Sequence, residues 1–152
     1  MQVKSLTPET VKKNKLDIVQ FYFNNAITCS CSTNFTIEEA EAKIDEFIAY
    51  LEKDECIGYG LFHENRVCGY IWAYPHQFRE ERRMYISEIH IEENYRNRGY
   101  GKMLLEAVEA KAKEKGLGAL YLHAEADNKS AIRLYESCGY IEERIQLRKE
   151  IK

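Results

Sequence analysis

The sequence predicts an α/β (α+β) chain: a mixed, mostly antiparallel twisted sheet flanked by about four helices, with one parallel strand–helix–strand unit. Three observations carry this expectation. Short β-rich runs at 57–62 and 67–74 flank His63-Glu64-Asn65-Arg66, which reads as a hairpin turn. An amphipathic helix at 101–115 lies between strands at 84–91 and 119–125. A single helix joining two strands makes a parallel, right-handed crossover, whereas tight hairpins make antiparallel pairs.

Taken in order, 1–6 reads as a first strand. Thr7-Pro8-Glu9 supplies an N-cap, a proline at the first helical position and an acid in the first turn. Leu16, Val19, Tyr22, Phe23 and Ala26 follow at helical spacing. Thr36 with Glu39 forms a capping box, and Ile37, Ala40, Ile44, Phe47, Ile48 and Leu51 share one face of the helix it opens. In the 101–115 helix Leu104, Leu105, Val108 and Ala112 face inward, and Gly116 ends it. A short helix spans 128–138, with Ala131, Leu134, Tyr135 and Cys138 on a common side and Gly139 as its stop. Ile145, Leu147 and Ile151 alternate with polar residues, which predicts a final strand.

The 152 residues suit one domain, 1–152, and neither a linker nor a repeat is visible. Lys+Arg 22 against Asp+Glu 25 gives a net charge of −3, which excludes a protein that wraps nucleic acid. No apolar run approaches the ~18–20 residues of a membrane span, and the N-terminus lacks a secretory apolar region. Five cysteines, an odd and irregularly spaced set, predict free thiols in a reducing compartment, the cytoplasm. Cys29-Ser30-Cys31 is half a metal site without a second pair, so no metal is expected.

The informative stretch is Tyr95-Arg96-Asn97-Arg98-Gly99-Tyr100-Gly101-Lys102, between a strand and a helix. Two glycines one residue apart allow a tight turn that points successive N–H groups at one spot. That spot is a helix N-terminus, where unpaired donors and the dipole favour an anion, and Arg96, Arg98 and Lys102 add charge. A pyrophosphate is the natural guest. A nucleoside-triphosphate loop would need glycine where Arg96 stands and Ser or Thr where Met103 stands. A dinucleotide fingerprint would need Gly or Ala at Leu104 and a βαβ repeat at the N-terminus.

Arg96-x-x-Gly99-x-Gly101 after a strand resembles the acyl-coenzyme-A signature of the GNAT superfamily of N-acetyltransferases. A second motif of that family follows in order: Asn128-x-x-Ala131-x-x-Leu134-Tyr135, then Cys138-Gly139-Tyr140. The resemblance covers roughly residues 55–150. It implies the GNAT fold, with the parallel pair splayed apart to admit acetyl-CoA. It further implies that backbone groups of Ile89 and Ile91, flanking His90, pair with the pantetheine amides. The 96–102 turn (Arg96, Asn97, Arg98, Gly99, Tyr100, Gly101, Lys102) would cradle the pyrophosphate, and Asn128 would hydrogen-bond the cofactor. Tyr135 matches the family's tyrosine that protonates the departing thiol. His123 lies where members that acetylate protein N-termini often carry a base, and Tyr85 where they place a second active-site residue.

The chemistry makes its own demands. An alkylammonium, pKa near ~10.4, must lose a proton before it attacks a thioester. The oxyanion then wants a preorganised N–H, which a strand bulge around Ser87 to Ile89 would supply. Period-2 alternation puts Tyr121, His123 and Glu125 on one face of their strand. His123 is the first candidate for the base; Glu88, Glu125 or a water chain are its rivals. His63 and His76 carry no pattern and read as surface residues. Trp72, Tyr74 and Phe78, with Asn34 and Phe35, are candidates to line the acceptor pocket or to pack in the core. The expected activity is direct acetyl transfer from acetyl-CoA to a primary amine, either a small molecule or a peptide N-terminus, by a monomer or homodimer. A longer acyl donor, or a CoA-binding sensor without catalysis, is the alternative. The loop at about 27–36, where this fold sets acceptor choice, carries no motif.

Overall fold

The computed structural model describes residues 1–29 and 34–152, with only the backbone of Cys29. The Cys29-Ser30-Cys31 half-site and the middle of the 27–36 loop lie outside the described residues.

Strand β1 (Gln2–Ser5) leads into helix α1 (Pro8–Lys13), where Thr7 Oγ1 accepts from the Thr10 N–H at 3.2 Å. The sequence predicts one continuous helix from here; the structure breaks it at Asn14. Asn14 donates its side-chain amide to the Thr10 carbonyl at 2.8 Å, competing with the helical ladder as short polar side chains do. Helix α2 (Lys15–Cys29) restarts with Ile18, Val19 and Phe21 buried, while Leu16 is 85% exposed rather than inward. This break makes five α-helices among the described residues rather than about four. Helix α3 (Ile37–Glu52) opens on the expected capping box: Thr36 Oγ1 accepts from the Glu39 N–H and Glu39 returns the bond. Its buried face is Ala40, Ile44, Phe47 and Ile48, as the periodicity predicts.

Strands β2 (Ile57–His63), β3 (Arg66–Phe78), β4 (Glu81–Ile91) and β5 (Ala119–Tyr121) complete a five-stranded sheet in the order β1-β2-β3-β4-β5. Every neighbouring pair is antiparallel except β4–β5, which is parallel. Strand β3 runs through Pro75 and past the predicted end at Tyr74. Its ladder with β2 stops at Ala73, so the missing proline N–H lies beyond that neighbour. Helices α1 to α3 cover one face around Phe47, Ile18, Tyr70 and Trp72. Helix α4 (Tyr100–Glu114) covers the other through Leu104, Leu105 and Val108, with α5 (Lys129–Ser137) beside it.

One irregularity organises the far end of the sheet. Trp72 pairs with Glu88, but the next residue of β3, Ala73, pairs with Ile86, so Ser87 is an extra residue. Before the bulge, Met84 and Ile86 pack beneath α4. After it the alternation is inverted. Glu88 and His90 lie opposite Trp72 and Tyr70 on the α2–α3 face, while Ile89 and Ile91 take the α4 face. A bulge also bends its strand and sharpens the local twist. Accordingly β5 pairs with β4 only at Arg83–Tyr85 and stops at Tyr121, four residues short of the predicted 119–125.

The predicted final strand is absent: residues 140–152, all described, form no strand. Ile145, Leu147 and Ile151 are 73%, 89% and 96% exposed. A three-residue β5 offers too little edge to hold an intramolecular partner of that length. Two contacts anchor the start of the tail: Arg83 pairs with Glu143 at 2.7 Å, and the Arg144 guanidinium sits 4.6 Å from the Phe78 ring centre.

The capping box gives a direct stability test. Thr36→Ala removes a side-chain acceptor from the first turn of α3 at a cost of about 0.5–2 kcal/mol. For a chain of this size that lowers Tm by roughly 2–4 °C per kcal/mol, readable by thermal unfolding.

Candidate active site

Beyond Tyr85 strand β4 continues for six residues without β5 at its side, from Ile86 to Ile91. This gap is the splay that the motif order implied. Its floor is the α4 face carrying Ile89 and Ile91. At its end the Arg96 guanidinium Nε donates to the Ile91 carbonyl at 2.8 Å, fixing the 92–99 connection onto the strand end. Arg96 is therefore a structural brace as well as a nearby charge.

The turn into α4 uses two left-handed residues, Asn97 at φ 58° and Gly99 at φ 81°. Gly99 is the N-cap, and among the described residues no side chain caps this helix. The first-turn N–H groups are thus left to a guest, with Lys102 in the same turn and no acid there. The two glycines serve different ends. A Cβ on Gly99 would meet nothing within 4 Å, so its requirement is backbone conformation. Gly101 is already helical, and a Cβ there would stand 2.8 Å from Leu134 Cδ2 of α5. It is small to let α5 approach, rather than to shape the turn. An anion cradle with an unpaired strand edge leading to it fits an extended amide chain ending in a pyrophosphate.

Asn128 caps α5, its Oδ1 accepting from the Ala131 N–H at 3.2 Å. Tyr135, two turns further along α5, packs against the same buried cluster as Ile89, Ile91 and Leu134, its ring 5.8 Å from Tyr140. Tyr135 thus lies on the α4 face of the sheet, as Ile89 and Ile91 do. His90 does not reach it: its ring stacks on Phe21 at 4.9 Å on the opposite face of the sheet. Burial, and then the Arg96 charge, push the His90 pKa down to about 4, so it is a neutral core residue.

The other side of the bulge holds Glu88. Asn25 Nδ2 of α2 donates to its Oε1. Loss of hydration pushes the Glu88 pKa up to about 7 despite that hydrogen bond, which pulls the other way. Its charge in turn helps raise the hydroxyl pKa values of Tyr22, Tyr70 and Tyr85, for each of which burial is the larger cause. Beside it runs an aromatic wall across three strands. Tyr74 meets Tyr85 edge-on at 5.3 Å, and Tyr85 lies 4.9 Å from Tyr121. Tyr85 Oη is 3.3 Å from His123 Nδ1, which brings the two predicted partners together. His123 itself is exposed on the chain just past β5, outside the sheet. His76, read from sequence as an unremarkable surface residue, shares a hydrogen bond of 2.6 Å with the Tyr121 hydroxyl at the end of this wall. Period-2 counting from Tyr74 along β3 would have placed it there. Trp72 belongs to the core, stacked among Phe47, Tyr50 and Tyr74.

The described residues thus place a carboxyl group that burial pushes up to about 7, a bulged backbone and an uncapped helix N-terminus along β4 and its end. Among the described residues no group of His, Cys, Asp or Glu side chains is arranged to hold a metal ion, and no helix is long and apolar enough to cross a membrane.

Comparison with known proteins bears on this arrangement. Residues 24–140 match the acetyltransferase (GNAT) family. The chain is 29% identical to the uncharacterized N-acetyltransferase YycN of Bacillus subtilis over 89 residues, 59% of this chain and 57% of that protein. It is 38% identical to a [ribosomal protein bS18]-alanine N-acetyltransferase of Salmonella typhimurium over 58 residues, 38% of this chain and 39% of the other. The chain thus spans little more than half the length of the first relative and less of the second. In three dimensions it overlays a predicted acetyltransferase with acetyl-CoA from Clostridium acetobutylicum. The TM-score is 0.78 at 15% identity, over 98% of this chain and 95% of that one.

A stability measurement isolates the turn. Gly99→Ala forces a Cβ into left-handed backbone at a cost of about 1–2 kcal/mol, with no steric clash to add to it. Urea unfolding of the variant beside the wild type reads the difference; an unchanged midpoint would mean that the turn relaxes to another conformation.

Proposed function

Because the chain belongs to the GNAT family of acetyltransferases, we propose that it moves an acetyl group from acetyl-CoA to a primary amine by direct attack, without an acyl-enzyme. The observation that carries this reading is the six-residue unpaired edge of β4 leading to an uncapped helix N-terminus. When bound, acetyl-CoA supplies an activated thioester. The first-turn N–H groups of α4, with Arg98 and Lys102, hold its pyrophosphate, and the edge of Ile89–Ile91 holds its amide arm. Asn128 contributes at the α5 side.

Glu88 is the general base. A carboxylate with a pKa near 7 is charged for much of the time at neutral pH and still basic enough to take a proton from an ammonium group. The partial burial that raises its pKa also strengthens its attraction for a cationic amine. Backbone N–H groups at the Ser87 bulge stabilise the developing oxyanion, and the Tyr135 hydroxyl returns a proton to the departing thiolate. Tyr85 and His123 line the acceptor side, where Tyr74 and Tyr121 extend a flat aromatic wall. This wall suits the stem of a small amine or the first residues of a peptide. A near-neutral carboxyl group between bulge and wall weighs against a sensor without catalysis. Free thiols at Cys56, Cys68 and Cys138 suit a reducing compartment.

Two experiments test the reading. Thermal unfolding with acetyl-CoA at ~100 times its Kd gains about 2.7 kcal/mol, a Tm rise of roughly 5–10 °C, that NAD and ATP do not match. A larger shift with NAD or ATP would overturn the cofactor assignment. The second follows thiol release with a panel of primary amines against pH. Glu88 acts as the charged base, so kcat/KM climbs as pH rises through about 7. Glu88→Gln lowers kcat by ~10²–10⁴ and removes that inflection. A variant that keeps both rate and inflection would transfer the role to His123 or to water.

A further inference from the structure

Glu88 is held from one side by a residue that no motif marks. Asn25 lies on α2, one turn before its end at Cys29, and its Nδ2 donates to Glu88 Oε1. The other polar groups around the carboxylate do not bond it. Trp72, its cross-strand partner, and Tyr70, two residues back along β3, are buried. Neither Trp72 Nε1 nor the Tyr70 hydroxyl has a hydrogen-bond partner among the described residues. Tyr85 of β4 turns its hydroxyl to His123, and His90 stands neutral against Phe21. From α2 the Tyr22 hydroxyl feels the Glu88 charge, while Lys43 and Glu46 of α3 pair with each other at 2.8 Å. Among the described residues Asn25 is therefore the one side chain hydrogen-bonded to Glu88.

We propose that Asn25 is a positioning residue of the transfer reaction: its side-chain amide, bonded to Oε1, turns Oε2 of Glu88 towards the acceptor nitrogen. This role rests on the reading of Glu88 as the base. An ionised carboxylate offers no proton, so the amide presents its NH₂ to it, and a donor on one oxygen restricts rotation of the carboxyl group. The other oxygen takes the proton of the acceptor ammonium, and the nitrogen lone pair set free makes the attack. Asn25 itself neither gives nor takes a proton. Because the bond joins α2 to β4, it also fixes the end of α2, where the 27–36 loop begins, against the bulge.

The same bond keeps the base usable. Burial, the larger cause, raises the Glu88 pKa, and donation from Asn25 to the charged form lowers it, leaving it at about 7. Among the described residues these two causes alone act on it. Without the amide, burial would hold Glu88 protonated at neutral pH, where it cannot accept a proton.

Titration of the Glu88 carboxyl carbon by NMR in the free protein, beside pH profiles of thiol release, tests the proposal. Asn25→Leu, close in volume and without a donor, moves the carboxyl titration up by roughly 1–2 pH units, and the kcat/KM inflection moves with it. On the alkaline plateau kcat falls roughly 10-fold, while KM for the amine stays within about twofold. Asn25→Asp, of the same shape, moves the inflection up further because two carboxyl groups then share the site. A loss of rate at every pH, with titration and inflection where the wild type has them, would overturn the proposal and leave Asn25 a packing residue. So would an Asn25→Asp profile that matches the wild type. If instead the wild-type inflection survives Glu88→Gln, the base assignment is what fails, and the positioning role falls with it.

Discussion

One extra residue in one strand sets the geometry on which the rest of the site depends. A β-strand alternates its side chains strictly, so residues 84, 86, 88 and 90 would all lie on one face of a regular β4. Ser87 breaks that rule. It allows Met84 and Ile86 to seal the core beneath α4 and, a turn later, directs Glu88 towards the opposite face. Without the insertion a carboxylate would point into the aliphatic cluster of Leu104 and Val108, where an unpaired charge is expensive. The bulge therefore resolves a conflict between packing and chemistry within four residues.

The same distortion opens the gap. Parallel pairing of β4 with β5 ends at Tyr85, just before the bulge, and β4 proceeds alone. Among the described residues its backbone donors and acceptors on that side have no partner strand, an arrangement that suits a ligand with amides of its own. The turn that follows is fixed at both ends: Arg96 ties it to Ile91, and Gly99 supplies the left-handed residue that starts α4. Gly101 then lets Leu134 of α5 close on the helix. Side chains that recognise, brace and pack are interleaved over fewer than ten residues.

Burial sorts the ionisable groups by role. His90 and Glu88 sit two residues apart on the same face, and burial penalises the charged form of each. For the histidine that means a ring locked neutral against Phe21. For the carboxylic acid it means a pKa raised to near neutrality, next to Asn25 and tyrosine hydroxyls. His123, the candidate that local sequence favours, lies past the end of its strand, which stops at Tyr121, and is exposed.

The sequence by itself determined the helices apart from the break at Asn14, the hairpin, the parallel crossover and the glycine turn into α4. These rest on local rules: a capping box needs Thr36 and Glu39 only, and a helix N-terminus with a glycine before it needs no distant partner. It also set Asn128 at the start and Tyr135 within one short helix, because a cap and an apolar spacing are local to that helix. Tertiary structure decided what depends on two strands at once. The register between β3 and β4 fixes the bulge, and the bulge fixes which face Glu88 occupies, where β5 stops and whether the tail finds a partner. Alternating apolar residues at 145, 147 and 151 record that a strand is possible. Only the length of the neighbouring edge decides whether that strand forms within the chain, and here three residues of β5 are too few.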